Sequence, residues 1–154
     1  MTIADRLASL GLRLPVPQAP GGAYKPAVIA GDMLFLPAQF PIVNGTPAVR
    51  GRLGDDLDAE AGYGAARLAA MNVLARIDDA LDGFDRLVQI VHMDGIMLST
   101  PDFDGLPRVL DGASDLLNTV LGDRAGHTRS LQGCTCLPGR LPVQLVVRAQ
   151  IRSA

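Results

Sequence analysis

Residues 143–151, VQLVVRAQI, alternate along an extended chain. Val143, Leu145, Val147, Ala149 and Ile151 fall on one face and Gln144, Arg148 and Gln150 on the other, with Val146 the one apolar exception. Side chains of a strand point to opposite faces in turn, so the pattern predicts a strand with one face buried and one open. Something must cover the buried face. Ala66, Ala70, Val73, Leu74, Ile77 and Leu81 recur at helical spacing after Asp58, a good N-cap, with Glu60 in the first turn and Gly83 at the end. A second stripe runs through Leu106, Val109, Leu110, Ala113, Leu116, Leu117, Val120 and Leu121 and closes at Gly122.

Between these helices LVQIVHMDGIML is rich in β-branched and aliphatic residues and reads as a strand. Earlier, AVIA and MLFL flank Gly31-Asp32, a hairpin signal, and Asn44-Gly45 marks a second turn after AQFPIV. The order is hairpin, helix, strand, helix, strand, strand. It predicts an α+β sheet with both helices on one face. On the other face the registers place Ile90, Ile96, Val146 and Leu131 beside His92, Asp94, Gln144 and Arg148. A half-apolar face without helices finds cover in another subunit, so an oligomer is expected, with a polar site at its seams.

TIADRLASLG forms a short amphipathic helix with Ile3, Leu7 and Leu10 on one side and Gly11 as its terminator. LPVPQAPGGAYKP, with four prolines and two glycines, then makes an extended arm. At 154 residues the chain is read as one domain: residues 1–26 the helix and arm, residues 27–152 the core. Hydrophobic content of 48% excludes a disordered chain, and a net charge of -2 gives no general attraction to nucleic acid or an anionic membrane. Asp5 and Arg6 interrupt the apolar start, so no signal peptide is read there, and no apolar run reaches membrane-spanning length. The two cysteines look like reduced thiols. A cytoplasmic protein is the expectation.

Among candidate functional residues, Arg129 stands at the mouth of HTRSLQGCTCLPGRLPVQLVV. An arginine entering a strand is either a solvated edge residue or a fixed fork for a carboxylate or phosphate, since guanidinium presents planar donors and keeps its charge. Cys134 and Cys136, two apart on a strand and so roughly 7 Å from each other, are poorly placed for a mutual disulfide. They read as small buried hydrophobes, and with His92 and His127 they make too few ligands for a metal. Met93 and Met97 read as core filling. Gly62 and Gly64 lack the preceding strand that a dinucleotide fingerprint needs. Arg50 and Arg52 read as a solvated edge.

AVIAGDMLFLPAQFPIVNG early, PDFDGLPRVLDGASDLL in the second helix, and TRS followed by CLP and an alternating strand together resemble the Rid (YjgF) family of reactive-intermediate deaminases, from Tyr24 to Ile151. The resemblance implies a chorismate-mutase-like α+β fold and a homotrimer with an inner barrel. It further implies clefts between subunits for small anionic metabolites, and cofactor-free hydrolysis of 2-imino acids to keto acids and ammonia. By the same resemblance Arg129 grips the substrate carboxylate, Tyr24 belongs to the pocket, and Asp111 replaces a common asparagine. Leu131 stands where the deaminases commonly have cysteine, and Gln144 where they have the glutamate that activates water. Glutamine holds water but takes no proton at neutral pH. Asp111 and His127 are then the candidate bases. Three readings stay open: a deaminase with Gln144 positioning water, a binding or regulatory trimer that senses a small carboxylate, and an endoribonuclease, placed last for the acidic balance and few aromatics.

Overall fold

The alternating C-terminal segment is the hub of the sheet. In the computed structural model, which describes all 154 residues, it forms β7, Val143–Ile151, between β2, Met33–Phe35, and β5, Leu87–Leu98, antiparallel to both. Strand β1, Val28–Ala30, adds to β2 through the two-residue turn at Gly31 and Asp32, and β6, Thr128–Cys134, adds parallel to β5. The five-stranded order is β1-β2-β7-β5-β6, so β1 and β6 are its edges. A separate ribbon, β3 (Ile42–Val43) and β4 (Thr46–Pro47), turns at Asn44 and Gly45, both at positive φ. Asparagine and glycine tolerate that region, which a tight hairpin needs at both central positions.

Helix α1, Ile3–Ser9, is closed at its start by a reciprocal capping box in which the Asp5 amide donates to Thr2 Oγ1 at 3.0 Å and the Thr2 amide to Asp5 Oδ2 at 2.9 Å. It lies against α3, where Arg6 Nη1 donates to the Val120 carbonyl at 3.1 Å. Helix α2, Ala59–Leu81, starts on Asp58, whose carboxylate accepts from the Ala61 amide at 2.8 Å, and ends on Asp82 in the left-handed conformation just before Gly83. Helix α3, Leu106–Leu121, buries Val109, Leu110, Ala113, Leu116, Leu117, Val120 and Leu121, as its stripe predicts. Both long helices lie on the face of Val143, Leu145, Val147, Ala149 and Ile151, and all of these join one continuous core. Truncating a fully buried leucine such as Leu116 or Leu117 to alanine costs about 2–5 kcal/mol by the usual cavity arithmetic.

Two glycines set how closely these layers approach. A Cβ on Gly112 would stand 2.1 Å from the Tyr63 carbonyl oxygen of α2, and one on Gly95 would stand 2.6 Å from Leu110 Cδ1. The two helices therefore touch backbone to backbone at Gly112, and α3 lies close on β5 where Leu110 meets Gly95.

The open face carries Gln144, Val146, Arg148 and Gln150 from β7, all half-buried, with Phe35 at 40% and Val28 at 46% exposure on the neighbouring hairpin. Two expectations for this face are corrected. Ile90 is fully buried on the helix side, because register shifts between Leu87 and Gln89 and between Ile90 and His92 break the simple alternation of β5. Leu131 also lies on the helix side: it pairs with Gly95, two residues along from the pair of Arg129 with buried Met93, and packs against the core. The cysteines differ as well. β6 ends at Cys134, so Cys136 sits outside the strand and exposed, while Cys134 is half-buried and its thiol donates to the Cys136 carbonyl at 3.3 Å. Burial pushes the Cys134 thiol above its ordinary pKa.

Candidate functional site

Arg129 projects from edge strand β6 toward α3, whose first three turns supply its partners. Its Nη2 lies 2.9 Å from Asp111 Oδ1, and its Nη1 donates to Ser114 Oγ at 3.1 Å. A longer contact of 3.5 Å runs from Nη2 to the Pro107 carbonyl. Asp111 and Ser114 are one helical turn apart, so both face β6 from the same side of α3. Of the five N–H donors of a guanidinium, Nε–H and one Nη1–H are left without a protein partner. The side chain is 27% exposed and Asp111 40%, so the pair forms one wall of a partly solvated site.

His127 joins through Ser114. Its Nε2 lies 3.0 Å from Ser114 Oγ and its Nδ1 contacts the Ala125 carbonyl. A carbonyl only accepts, so Nδ1 carries the proton. In the neutral imidazole Nε2 then accepts, so the Ser114 hydroxyl donates to it while its oxygen accepts from Arg129. The relay is ordered: arginine to serine, serine to histidine, histidine to backbone. Its effect is to fix the rotamer of Ser114 and with it one arm of the fork. Ser114 was not singled out in the sequence, although its three-residue spacing from Asp111 is the signal that would have found it.

The remaining expected site residues stand apart from this cluster. Gln144 pairs with Ile96 on the open face of the sheet, whereas Arg129 pairs with Met93 on the helix face. Leu131 shares the side of Arg129 on β6 but packs inward. Tyr24 lies on the arm that leads into β1, the opposite edge strand, is 55% exposed, and accepts at its hydroxyl from the Gly21 amide at 3.1 Å. It lines a cavity of about 320 Å³ with Gln18, Gln39, Asn72 and Arg76, and none of the principal cavities of the protomer is lined by Arg129. Within one chain the fork, the glutamine and the tyrosine do not meet.

Beside the open face a second polar chain runs across three strands. His92 Nδ1 lies 2.7 Å from Thr128 Oγ1 and its Nε2 2.9 Å from Asp94 Oδ1, and Asp94 Oδ2 is 3.5 Å from Arg148 Nη1. These residues satisfy one another on a surface otherwise dressed by Val146 and Ile96.

Residues 4–147 match the family model described as "YjgF/chorismate_mutase-like, putative endoribonuclease". The protein TCP17 of Trypanosoma cruzi is 34% identical over 137 residues, 88% of this chain and 86% of its own. Among solved structures, the protein Atu1372 of Agrobacterium tumefaciens superposes with a TM-score of 0.90 at 34% identity, covering 97% of this chain and 92% of that one. A "putative endoribonuclease" of Shewanella oneidensis gives 0.94 at 33%, covering 97% and 99%. The TdcF protein of E. coli, solved with bound serine, shares the fold at a TM-score of 0.64 and 22% identity over 92% of this chain and 96% of its own.

Proposed function

The chain belongs to the YjgF/chorismate mutase-like family, and from that premise we propose that it binds small zwitterionic 2-imino or 2-amino carboxylates in clefts between subunits and hydrolyses the imines. The observation that carries the reading is the Arg129–Asp111 pair, a cation and an anion 2.9 Å apart on one partly solvated wall. A free guanidinium selects any anion; a guanidinium with a carboxylate beside it selects a ligand that brings both charges. An α-iminium carboxylate does so at neutral pH: its carboxylate meets the unpartnered donors of Arg129 and its N–H meets Asp111. The serine bound to E. coli TdcF is a ligand of the same charge pattern.

Three separations support a site built from more than one protomer. Arg129 lies on one edge strand, Tyr24 on the arm entering the other, and Gln144 on the open face. A homotrimer that covers the open face would bring Tyr24 and Gln144 of one copy to the Arg129 of the next. In that cleft the reaction balances simply. A water held by the Gln144 amide adds through oxygen to C2 while Asp111 takes one of its protons and delivers it to nitrogen; the C–N bond then breaks, the new hydroxyl gives up its proton through Asp111 to the departing ammonia, and keto acid and ammonium leave. His127 holds Ser114 and through it Arg129, which makes it a positioning residue.

A second reading, binding without turnover, is favoured by Gln144 alone, since an amide accepts no proton. One experiment separates the two. An amino-acid oxidase generates the imine in situ, and the chain is added to it. Faster disappearance of imine, lost in Arg129→Ala, is the expected result. No acceleration by the wild-type chain, with calorimetry still detecting Arg129-dependent binding of serine, leaves the binding reading. A general base contributes about 10²–10⁴-fold, so a Gln144→Glu variant that gains turnover while wild type has none would place the deficit at that position.

A further inference from the structure

Four polar or charged residues of the chain are buried: Gln39, Asn72, Arg76 and Ser99. Three of them, Gln39, Asn72 and Arg76, line the cavity of about 320 Å³ beneath the N-terminal arm. Buried polar groups are ordinarily satisfied, and a buried charge needs a partner. Arg76 is 6% exposed, and its Nε–H has no hydrogen-bond acceptor. Nη2 donates to the Gln18 carbonyl of the arm, and Nη1 reaches Asp79 only at 3.5 Å, where that carboxylate is 55% exposed. The counterion is loose and solvent-screened, so the guanidinium keeps an unmet demand for an acceptor.

The two amides present the opposite demand. Asn72 Nδ2 donates to the carbonyls of Phe40 and Ile42 at 2.8 and 2.7 Å, and Gln39 Nε2 to the carbonyl of Pro37 at 2.9 Å. Their amide orientations are thereby fixed, and each carbonyl oxygen is left without a donor from the protein. The walls between are apolar: Pro20, Pro26, Pro37, Phe40 and Ile42. The volume holds about ten waters at liquid density, enough for a small metabolite.

We infer that this cavity is a second ligand site, taking a small carboxylate that also carries an N–H donor, with the carboxylate on Arg76 and the nitrogen toward the oxygens of Gln39 and Asn72. Tyr24, among its lining residues, is the one the proposed cleft shares with the next copy's Arg129, but within a protomer the site is separate from that fork. It lies by β2 and the arm, on the far side of β7 and β5 from β6, about 14 Å away at one strand spacing per step. The arm is its roof, and Arg76 links the two through the Gln18 carbonyl, so occupancy and arm closure are coupled.

The Arg76 Nε–H resonance of the ¹⁵N-labelled full chain reads this directly, with glycine, glycinamide and acetate as probes. Glycine is expected to shift that resonance together with the side-chain amides of Asn72 and Gln39. Acetate should shift Arg76 more weakly, and glycinamide, without a carboxylate, should leave it in place. The glycine shifts should persist in Arg129→Ala and vanish in Arg76→Met. Because Arg76→Met also cuts the tie to the arm, Ala38→Leu provides a second variant: it fills the cavity, leaves Arg76 intact, and should block the shifts. An Arg76 resonance unmoved by glycine through the millimolar range, moved equally by sodium chloride, unaffected by Ala38→Leu, or dependent on Arg129 would overturn the inference. Loss of binding at the fork alone would sink the proposed function and leave this site standing.

Discussion

Arg129 and Gln144 lie on opposite faces of one sheet: Arg129 pairs with Met93, fully buried under the helices, and Gln144 pairs with Ile96 on the open face. A ligand a few ångströms long cannot reach both within a protomer. If both serve one site, they come from different chains, and two defective variants should complement each other. Arg129→Ala and Gln144→Leu homo-oligomers are each expected to lose imine hydrolysis. Oligomers assembled from a mixture of the two should regain part of it, because some seams combine an intact Arg129 with an intact Gln144. Mixed assemblies no more active than the separate variants would show that the two residues do not share a seam.

The alternation of residues 143–151 and the two apolar stripes were enough to place the sheet, both long helices and most of the core, because each pattern has a single geometric reading once one face is buried. Ile90 was lost because two register shifts in β5 return it to the helix side, and such irregularities leave no mark in hydrophobic period. Leu131 was lost because parallel pairing fixes its face through Gly95, a partner that only topology supplies. At the site, Arg129 stood out by its residue type at the mouth of a strand, whereas Asp111 came only through the family resemblance, as a candidate base. Ser114 was not legible, since a serine amid a leucine stripe reads as a tolerated small residue. Arg76 was hidden for the opposite reason: a charge on a long helix reads as solvated, and only the folded arm buries it.

Asp111 decides which charge pattern the fork accepts. With Asp111 present, Arg129 Nη2 is already paired at 2.9 Å and the ligand must offer a cation in exchange. Asp111→Asn removes the negative charge while keeping the size. Affinity for serine is expected to fall and affinity for pyruvate to rise, each by a few-fold, the worth of a partly exposed ion pair at about 1 kcal/mol or less. Calorimetry with the two ligands checks it. Parallel changes in both would show that Asp111 acts on the shape of the site and has no part in choosing charge.

Gly112 couples packing to the same site. Its missing Cβ leaves room for the Tyr63 carbonyl, a backbone atom that cannot rotate away, so Gly112→Ala must separate α2 from α3. Overpacking of this kind costs about 1–3 kcal/mol. Asp111 and Ser114 flank position 112 on α3, so the displacement should carry both away from Arg129. Denaturant melts are expected to show the stability loss, and Arg129-dependent binding should weaken in protein that is still fully folded. Ala at this position with unchanged stability would mean that the interhelical contact yields without cost.

The acid limb of the stability curve should carry the signature of Glu60. Arg108 meets it with two hydrogen bonds, Nε to Oε1 at 2.9 Å and Nη2 to Oε2 at 3.2 Å, while lying 4.3 Å over the ring of Tyr63. These bonds, and secondarily the charge of Arg108, hold the carboxyl below its ordinary pKa. A carboxylate whose folded pKa is depressed contributes stability that is complete above the unfolded value of about 4.3 and is lost as pH falls through the lower folded value. Wild type is therefore expected to exceed Glu60→Gln in melting temperature at neutral pH, with the two curves converging as pH drops below about 4. Added salt should narrow the neutral-pH gap, because the pair is exposed and screened. Curves that stay parallel down the acid limb would mean that the pairing seen between Glu60 and Arg108 has no linkage to folding.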